Sequence, residues 1–130
     1  MSPDTEHWQR WIEPLLAFLA ADPSDQSVWS RAHRVRTAAV AEEAGFGVRL
    51  AAGMADRGAL EPAALADLAE IGRRCDEAAR RGGPGHWADG LAADPVWDEV
   101  RVLARRVLVG RLGGWDRPLP RRVLPQEVYD

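Results

Sequence analysis

One apolar segment near the end of the chain constrains its fold more than any other. Aliphatic side chains recur there with helical spacing, at Val96, Val100, Leu103 and Val107. A repeat near 3.6 residues over four turns predicts an amphipathic helix. Asp94 and Pro95 precede the stripe and are typical of a helix start, because aspartate caps free amides and proline suits the first turn. We therefore predict a central helix over 95–112, around which a small helical domain packs.

The other helices follow from the same spacing and from capping residues. We expect a first helix over 4–21 that is kinked near Pro14 or split near Glu13, and a second over 25–44 that ends at Gly45. Two more are expected at 48–57 and 61–81, and 86–90 is expected to form a single turn. The fold class is all-α, with a compact bundle of about five helices. On the central helix, three arginines are predicted to face solvent: Arg101, Arg105 and Arg106.

The last sixteen residues differ from the rest because prolines interrupt them. Proline favours an extended path, yet this segment also carries tryptophan, leucine and valine. We predict one helical domain, 1–114, followed by an extended tail, 115–130, that packs on the domain or on a partner.

Composition and charge exclude several classes of function. All 17 basic residues are arginine, so lysine chemistry and a P-loop lysine are excluded. A net charge of −3 and an isoelectric point near 5.6 do not favour binding to nucleic acid or anionic membranes. No apolar run approaches the ~20 residues of a membrane span. With one cysteine and an acidic N-terminus that resembles no signal peptide, we expect a cytoplasmic protein.

The residues that most often carry catalysis or metal are sparse. His7, His33 and His86 have no metal-ligand spacing, and Cys75 lies on an apolar helix face that predicts an inert thiol. We assign no catalytic residue, metal or cofactor. One open alternative is an enzyme or metal protein in which the three histidines converge from separate helices.

A second alternative is a DNA-binding regulator. Residues 37–57 combine a helix, Gly45 at a turn position and a following helix, which is the pattern of a helix-turn-helix. The second helix lacks polar side chains at its start, and Glu42 and Glu43 would face phosphate, so nucleic acid is not the favoured partner.

The segment Leu-x3-Met-x3-Gly-x-Leu-x-Pro-x2-Leu at 50–65, followed by Asp-Arg-Pro at 116–118, resembles the helical N-terminal half of nitrile hydratase β subunits and their accessory relatives. That resemblance implies a non-catalytic subunit of a metalloenzyme, or a chaperone-like partner.

Binding to a protein partner, or to a second copy of the chain, has the most residues behind it. Tryptophan and arginine are the residues most enriched at interface hot spots. Trp8 and Trp29 are expected to act as core anchors or to line a pocket, with Arg31 or Arg34 at its mouth as an anion contact. The predicted binding residues are Trp8, Trp29, Arg31, His33, Arg34, Trp115, Arg117, Arg121 and Arg122. We therefore predict a small binding or accessory module that acts through this Trp/Arg surface and the tail.

Overall fold

The chain is all-α, as predicted, in a computed structural model that describes residues 3–120. Within that range, six helical stretches pack together, with the first one interrupted by a π-helical turn. The bounds are α1 Pro3–His7, the π turn Trp8–Ile12, α2 Glu13–Ala20, α3 Pro23–His33, α4 Thr37–Asp56, α5 Pro62–Gly82, α6 Trp87–Ala93 and α7 Val96–Leu112. None of the helices that the structure describes is long and apolar enough to span a membrane.

The π turn is how the first helical stretch accommodates Pro14. Proline has no amide hydrogen, and its ring crowds the carbonyl one turn earlier. The amide of Glu13 donates instead to the carbonyl of Trp8, five residues back, which widens the turn directly before the proline. The helix axis therefore continues past Pro14 without ending, and the apolar face stays on the core through Leu15, Leu16 and Leu19.

The predicted second and third helices, 25–44 and 48–57, are wrong. The chain leaves the helix at Arg34, re-enters it at Thr37, and then continues through Gly45 to Asp56. Two long-range backbone bonds hold the break open: the amide of Trp87 donates to the carbonyl of Val35 at 2.9 Å, and that of Thr37 donates to Gly85 at 3.1 Å. A partner so far along the chain leaves no local signal in the sequence.

Glycine in α4 serves packing rather than termination. A Cβ on Gly47 would lie 3.0 Å from Leu15 Cδ2, so the missing side chain lets α4 approach α2 closely. Because residues 37–56 form one helix, the helix-turn-helix predicted for 37–57 is also wrong: no turn exists at Gly45.

The central helix is confirmed, and it packs against both α2 and α5. Its stripe is buried at Val96, Val100, Ala104, Val107 and Leu108. Asp94 Oδ1 accepts the amide hydrogen of Val96 at 3.0 Å, and Gly113 ends the helix in the left-handed region with φ of 81°. The prediction that three arginines of this helix face solvent is wrong for Arg101, which is only 8% exposed.

Asp94, at the start of this helix, makes the stability of the fold depend on pH. Burial raises the pKa of its carboxyl, but the hydrogen bond from Val96 and the contact with Arg81 outweigh this, so the pKa lies below its ordinary value. A carboxylate with a lowered folded-state pKa stabilises the fold above its unfolded pKa of ~3.9, and this contribution is lost as pH falls through the folded pKa.

We expect Asp94→Ala to lower the free energy of unfolding by about 1 kcal/mol at neutral pH, the typical cost of a lost helix cap. Urea denaturation between pH 7 and pH 3 should show the difference from wild type shrinking on the acid side. Asp94→Asn, which keeps a capping oxygen, should cost less. An Asp94→Ala deficit that is unchanged at the lowest pH would contradict a role for the ionised carboxylate.

Candidate functional site

The two tryptophans predicted for the N-terminal half of the binding surface lie in the core instead. Trp8 is 3% exposed, and the guanidinium of Arg111 lies 4.3 Å from its ring centroid. Trp29 is 5% exposed and stacks on Phe18, with ring centroids 5.0 Å apart. The prediction of an open pocket between Trp8 and Trp29 is therefore wrong. Both residues are core anchors, which was the other role predicted for them.

The start of the tail packs back on the bundle. Trp115 is half-buried, and the guanidinium of Arg105 lies 3.7 Å from its ring centroid. Trp29 Nε1 donates to the carbonyl of Pro120 at 2.8 Å, so residues 115–120 run from α7 to α3. Arg117 donates a hydrogen bond to the carbonyl of Leu112 at 3.5 Å. Arg121 and Arg122 lie outside the described residues.

Most arginines in the described part of the chain are neutralised by a neighbour. Nine of them form ion pairs with carboxylates: Arg57, Arg73, Arg74, Arg80, Arg81, Arg101, Arg105, Arg106 and Arg111. Arg10 and Arg49 lie over the aromatic rings of Trp11 and Phe46. Arginines without such a partner are therefore the exception in this part of the chain.

Arg31, Arg34 and Arg36 form what we call the arginine corner, where α3 ends and α4 begins. All three are exposed, and within residues 3–120 their side chains make no ion pair, hydrogen bond or ring contact. In a chain with an overall charge of −3, three adjacent unpaired cations mark a local positive surface.

The corner borders a cleft between α3 and α6, with a volume of about 350 Å³. Its lining residues are Ser30, Arg31, Arg34, His86, Ala88 and Asp89. Ser30 is 1% exposed, and its hydroxyl has no hydrogen-bond partner within the described chain. Buried hydroxyls are normally hydrogen-bonded, so Ser30 departs from the usual pattern.

Arg34 adopts a backbone conformation that arginine disfavours. Its φ of 54° and ψ of 44° lie in the left-handed region, and it is the only non-glycine residue with positive φ among those described. This C-terminal position strongly favours glycine, because a Cβ there costs ~1–2 kcal/mol. Because the left-handed backbone at Arg34 costs stability, its side chain is a candidate for a functional role.

The three histidines do not form a metal site. His7 is half-buried in α1, His33 packs its ring 4.9 Å from that of Trp29, and His86 is exposed at the start of α6. Across residues 3–120, no group of three histidine, cysteine or acidic side chains is placed to hold a metal ion. The three histidines therefore do not converge on a metal ion in this part of the chain, and the enzyme alternative stays a prediction.

Cys75 is fully buried on α5, as its position on the apolar stripe predicts. Burial raises the pKa of its thiol to about 12, with a smaller contribution from Asp76. A thiol with that pKa is almost entirely protonated at neutral pH and cannot act as a nucleophile.

The structure thus brings together only part of the predicted site. Arg31 and Arg34 share the cleft with Ser30 and His86, whereas Trp8 and Trp115 lie under other arginines elsewhere. Sequence reasoning did not select Ser30, because a lone serine within a helix carries no signal. His86 was missed as a neighbour of the arginines because the link is tertiary: it forms an isolated bridge with Arg36.

Comparison with family models, curated proteins and solved structures finds no match.

Proposed function

We propose that this chain is a small helical binding module that docks a protein partner carrying an acidic segment, and that the arginine corner is its docking surface. The observation that carries the proposal is the contrast among arginines: nine pair with carboxylates of this chain, while Arg31, Arg34 and Arg36 pair with none in residues 3–120. Acidic side chains of a partner are the complementary charges.

The neighbouring surface supports a protein as the partner. Val28 lies one turn before Arg31 on α3, so the two side chains share a helix face. Val28 is 71% exposed, the highest value among the large hydrophobic residues described. An exposed apolar side chain beside arginines is a combination common in protein interfaces. The tail reaches the same helix through the bond between Trp29 and Pro120.

The placement of this module in the cytoplasm belongs to the same proposal. The support is chemical: the only cysteine is buried and has no partner for a disulfide, which suits a reducing compartment.

The substitution Arg34→Gly tests the proposal with a safeguard against misfolding. Glycine adopts the left-handed conformation without a Cβ penalty, so we expect the free energy of unfolding to rise by up to about 1 kcal/mol. Binding of a fluorescent hexaglutamate peptide, measured by anisotropy at low salt, should weaken by about tenfold, since a charged hydrogen bond contributes ~1.5 kcal/mol or more. A variant that is more stable but binds less tightly separates function from folding.

The matched control is Arg49→Ala. This arginine is also exposed but lies over Phe46 on α4, away from the corner, and its loss should leave peptide binding unchanged. If Arg34→Gly and Arg49→Ala weakened peptide binding equally, the effect would come from net charge alone. That result would contradict a defined docking surface. Tighter, steeply salt-dependent binding to a short DNA duplex would replace the protein partner with nucleic acid. Binding that appears only as concentration-dependent dimerisation in light scattering would replace it with a second copy of the chain.

A further inference from the structure

We propose that two copies of this chain associate through the solvent-facing side of α7, with the two helices packed antiparallel about a two-fold axis. Among the residues that the structure describes, two of the three exposed large hydrophobic side chains lie on this side: Val102 is 62% exposed and Val109 is 48% exposed. Pro95, also exposed, precedes Val102 by seven residues, as Val102 precedes Val109. Apolar residues at this spacing share one helix face and are typical of paired helices. We call these three residues the α7 strip.

The arginines beside the α7 strip do not oppose such a contact. Arg105 folds to one side of the helix, where it donates to the carbonyl of Ala20 at 2.8 Å and pairs with Asp22 at 3.0 Å. Arg106 folds to the other side and pairs with Asp67 on α5 at 2.7 Å. Because each guanidinium is bound to a carboxylate of its own chain, the strip between them stays apolar, as the centre of a protein interface normally is.

Gly110 is a second observation that favours a helix packed against this face. A glycine inside a helix is less stable than alanine, and it normally has a packing reason. Gly47 and Gly72 have one, because a Cβ on either would lie 3.0 Å from a side chain of a neighbouring helix. A Cβ on Gly110 would meet no atom within 4 Å in the described chain. Since Gly110 follows Val109 directly, its missing side chain leaves room for a helix that approaches from outside.

The spacing of the α7 strip fits a second copy of the chain better than an unrelated protein. Val102 and Val109 lie equally far from the midpoint between residues 105 and 106. A two-fold axis through that midpoint that reverses the helix direction places Val102 of each copy against Val109 of the other. Such a contact uses the same surface on both copies, as in the commonest homodimers.

The charges at the two ends of α7 are complementary in the same arrangement. Asp98 is exposed in the first turn, seven residues before Arg105, and therefore lies on the side of α7 that faces the tail. At the other end of α7, Arg117 of the tail donates to the carbonyl of Leu112 and forms no ion pair within residues 3–120. Antiparallel helices related by a two-fold axis meet with matching sides, so Asp98 of each copy lies opposite Arg117 of the other. This pairing favours the correct orientation of the two copies.

Sedimentation equilibrium of the full chain tests the dimer. A strip along one helix is smaller than a standard interface, so we expect a dissociation constant on the order of 100 µM. The average mass should rise with concentration from 14.3 kDa toward twice that value. Val102→Glu buries a charge at two equivalent positions of the dimer and should weaken association at least about tenfold. Its melting temperature in dilute solution should not change, because the side chain is exposed in the monomer.

The matched control is Val28→Glu, which makes the same substitution at an exposed valine on α3 and should leave association unchanged. Arg117→Glu should weaken association about fivefold, because attraction to Asp98 becomes repulsion.

A mixing experiment tests the antiparallel arrangement. Val109→Arg alone should be as monomeric as Val102→Glu alone. When the two variants are mixed, an antiparallel heterodimer brings the two new charges together and keeps the remaining pair of valines in contact, so we expect the average mass to recover. Parallel helices would instead place each new charge against an unchanged valine, and the mass would not recover.

The dimer is overturned if the full chain stays at 14.3 kDa up to millimolar concentration. Association that survives Val102→Glu, or that is lost in Val28→Glu instead, moves the contact away from α7 and also overturns it. A mixture that does not recover overturns the antiparallel contact. The dimer does not rest on the proposed function, because the α7 strip lies apart from the arginine corner and the binding of hexaglutamate tests that corner separately.

Discussion

Trp87→Ala is expected to lower the free energy of unfolding by about 4 kcal/mol, within the range seen when a large aromatic residue is removed from a core. Trp87 is fully buried at the start of α6, and its ring packs edge-on against three others: Phe18, Trp29 and Trp97, with centroids 5.5, 6.3 and 5.6 Å away. The cavity would open where α2, α3, α6 and α7 meet. Urea denaturation followed by far-ultraviolet circular dichroism measures the change.

Two further variants make this prediction sharper. The indole Nε1 of Trp87 is buried and has no hydrogen-bond partner in the described chain. Trp87→Phe removes that unsatisfied group while keeping an aromatic ring, so it should cost only about 1 kcal/mol. Trp11→Ala, at a half-buried position against Phe46, should cost about 1.5 kcal/mol. A loss for Trp87→Phe as large as that for Trp87→Ala would contradict the account.

The second large effect is expected at Arg101, which joins three helices from a buried position. Its guanidinium donates to the carbonyl of Ala21 at 3.0 Å, to Gln26 Oε1 at 2.6 Å and to Asp98 Oδ1 at 2.7 Å. Gln26 is itself 1% exposed and donates to the carbonyls of Phe18 and Leu19, both at 2.9 Å. The network therefore satisfies the carbonyls at the end of α2 and fixes α3 and α7 against them.

Arg101→Ala should lower the free energy of unfolding by about 3 kcal/mol, because it leaves the Gln26 oxygen and the Ala21 carbonyl buried without a donor. The control is Arg106→Ala on the same helix, whose guanidinium is solvent-exposed where it pairs with Asp67, so its loss should have a much smaller effect. Raising the salt concentration to about 1 M should remove the small effect and leave the large one.

A double-mutant cycle between Arg101→Ala and Gln26→Ala checks that the two residues act together. Residues in one hydrogen-bond network typically couple by 0.5–3 kcal/mol, and we expect a value of at least about 1 kcal/mol here. Additive losses would show that Arg101 stabilises the fold by packing alone.

Local chemistry in the sequence was enough to predict the long helices at the end of the chain. α5 and α7 have a regular apolar stripe, a proline near the start and a glycine at or just past the end, and their observed bounds lie within a residue or two of those expected. The first helix could also be predicted, together with a disturbance at Pro14. The sequence did not indicate that this disturbance is a π turn.

The break between α3 and α4 at Arg34 could not be predicted from the sequence, for a physical reason. Residues 34–36 contain neither glycine nor proline, and the segment leaves the helix because its backbone groups bond to residues 85–87. Gly45 led to the opposite error, because it predicted the end of a helix where the helix continues. A glycine inside a helix costs only ~1 kcal/mol, and packing outweighs that cost.

The candidate site was predictable in residue type but not in arrangement. Arg31 and Arg34 could be selected as anion contacts from their spacing after Trp29. Burial of Trp8 and Trp29 depends on which helix faces the core, and the approach of His86 to Arg36 depends on the crossing between α3, α4 and α6. Arg101 was placed on the solvent side because arginine is rarely buried, and only its partners on α2 and α3 reverse that expectation.

The two backbone bonds that hold the break open also determine when the cleft comes into existence. One wall, from α3, is synthesised before α4 and α5, and the other, from α6, only after them. The cleft cannot form until residues 85–89 have been synthesised, because they supply its second wall. The proposed binding surface therefore requires contacts between distant parts of the chain, and a partner that recognised it would distinguish folded molecules from nascent or locally unfolded ones.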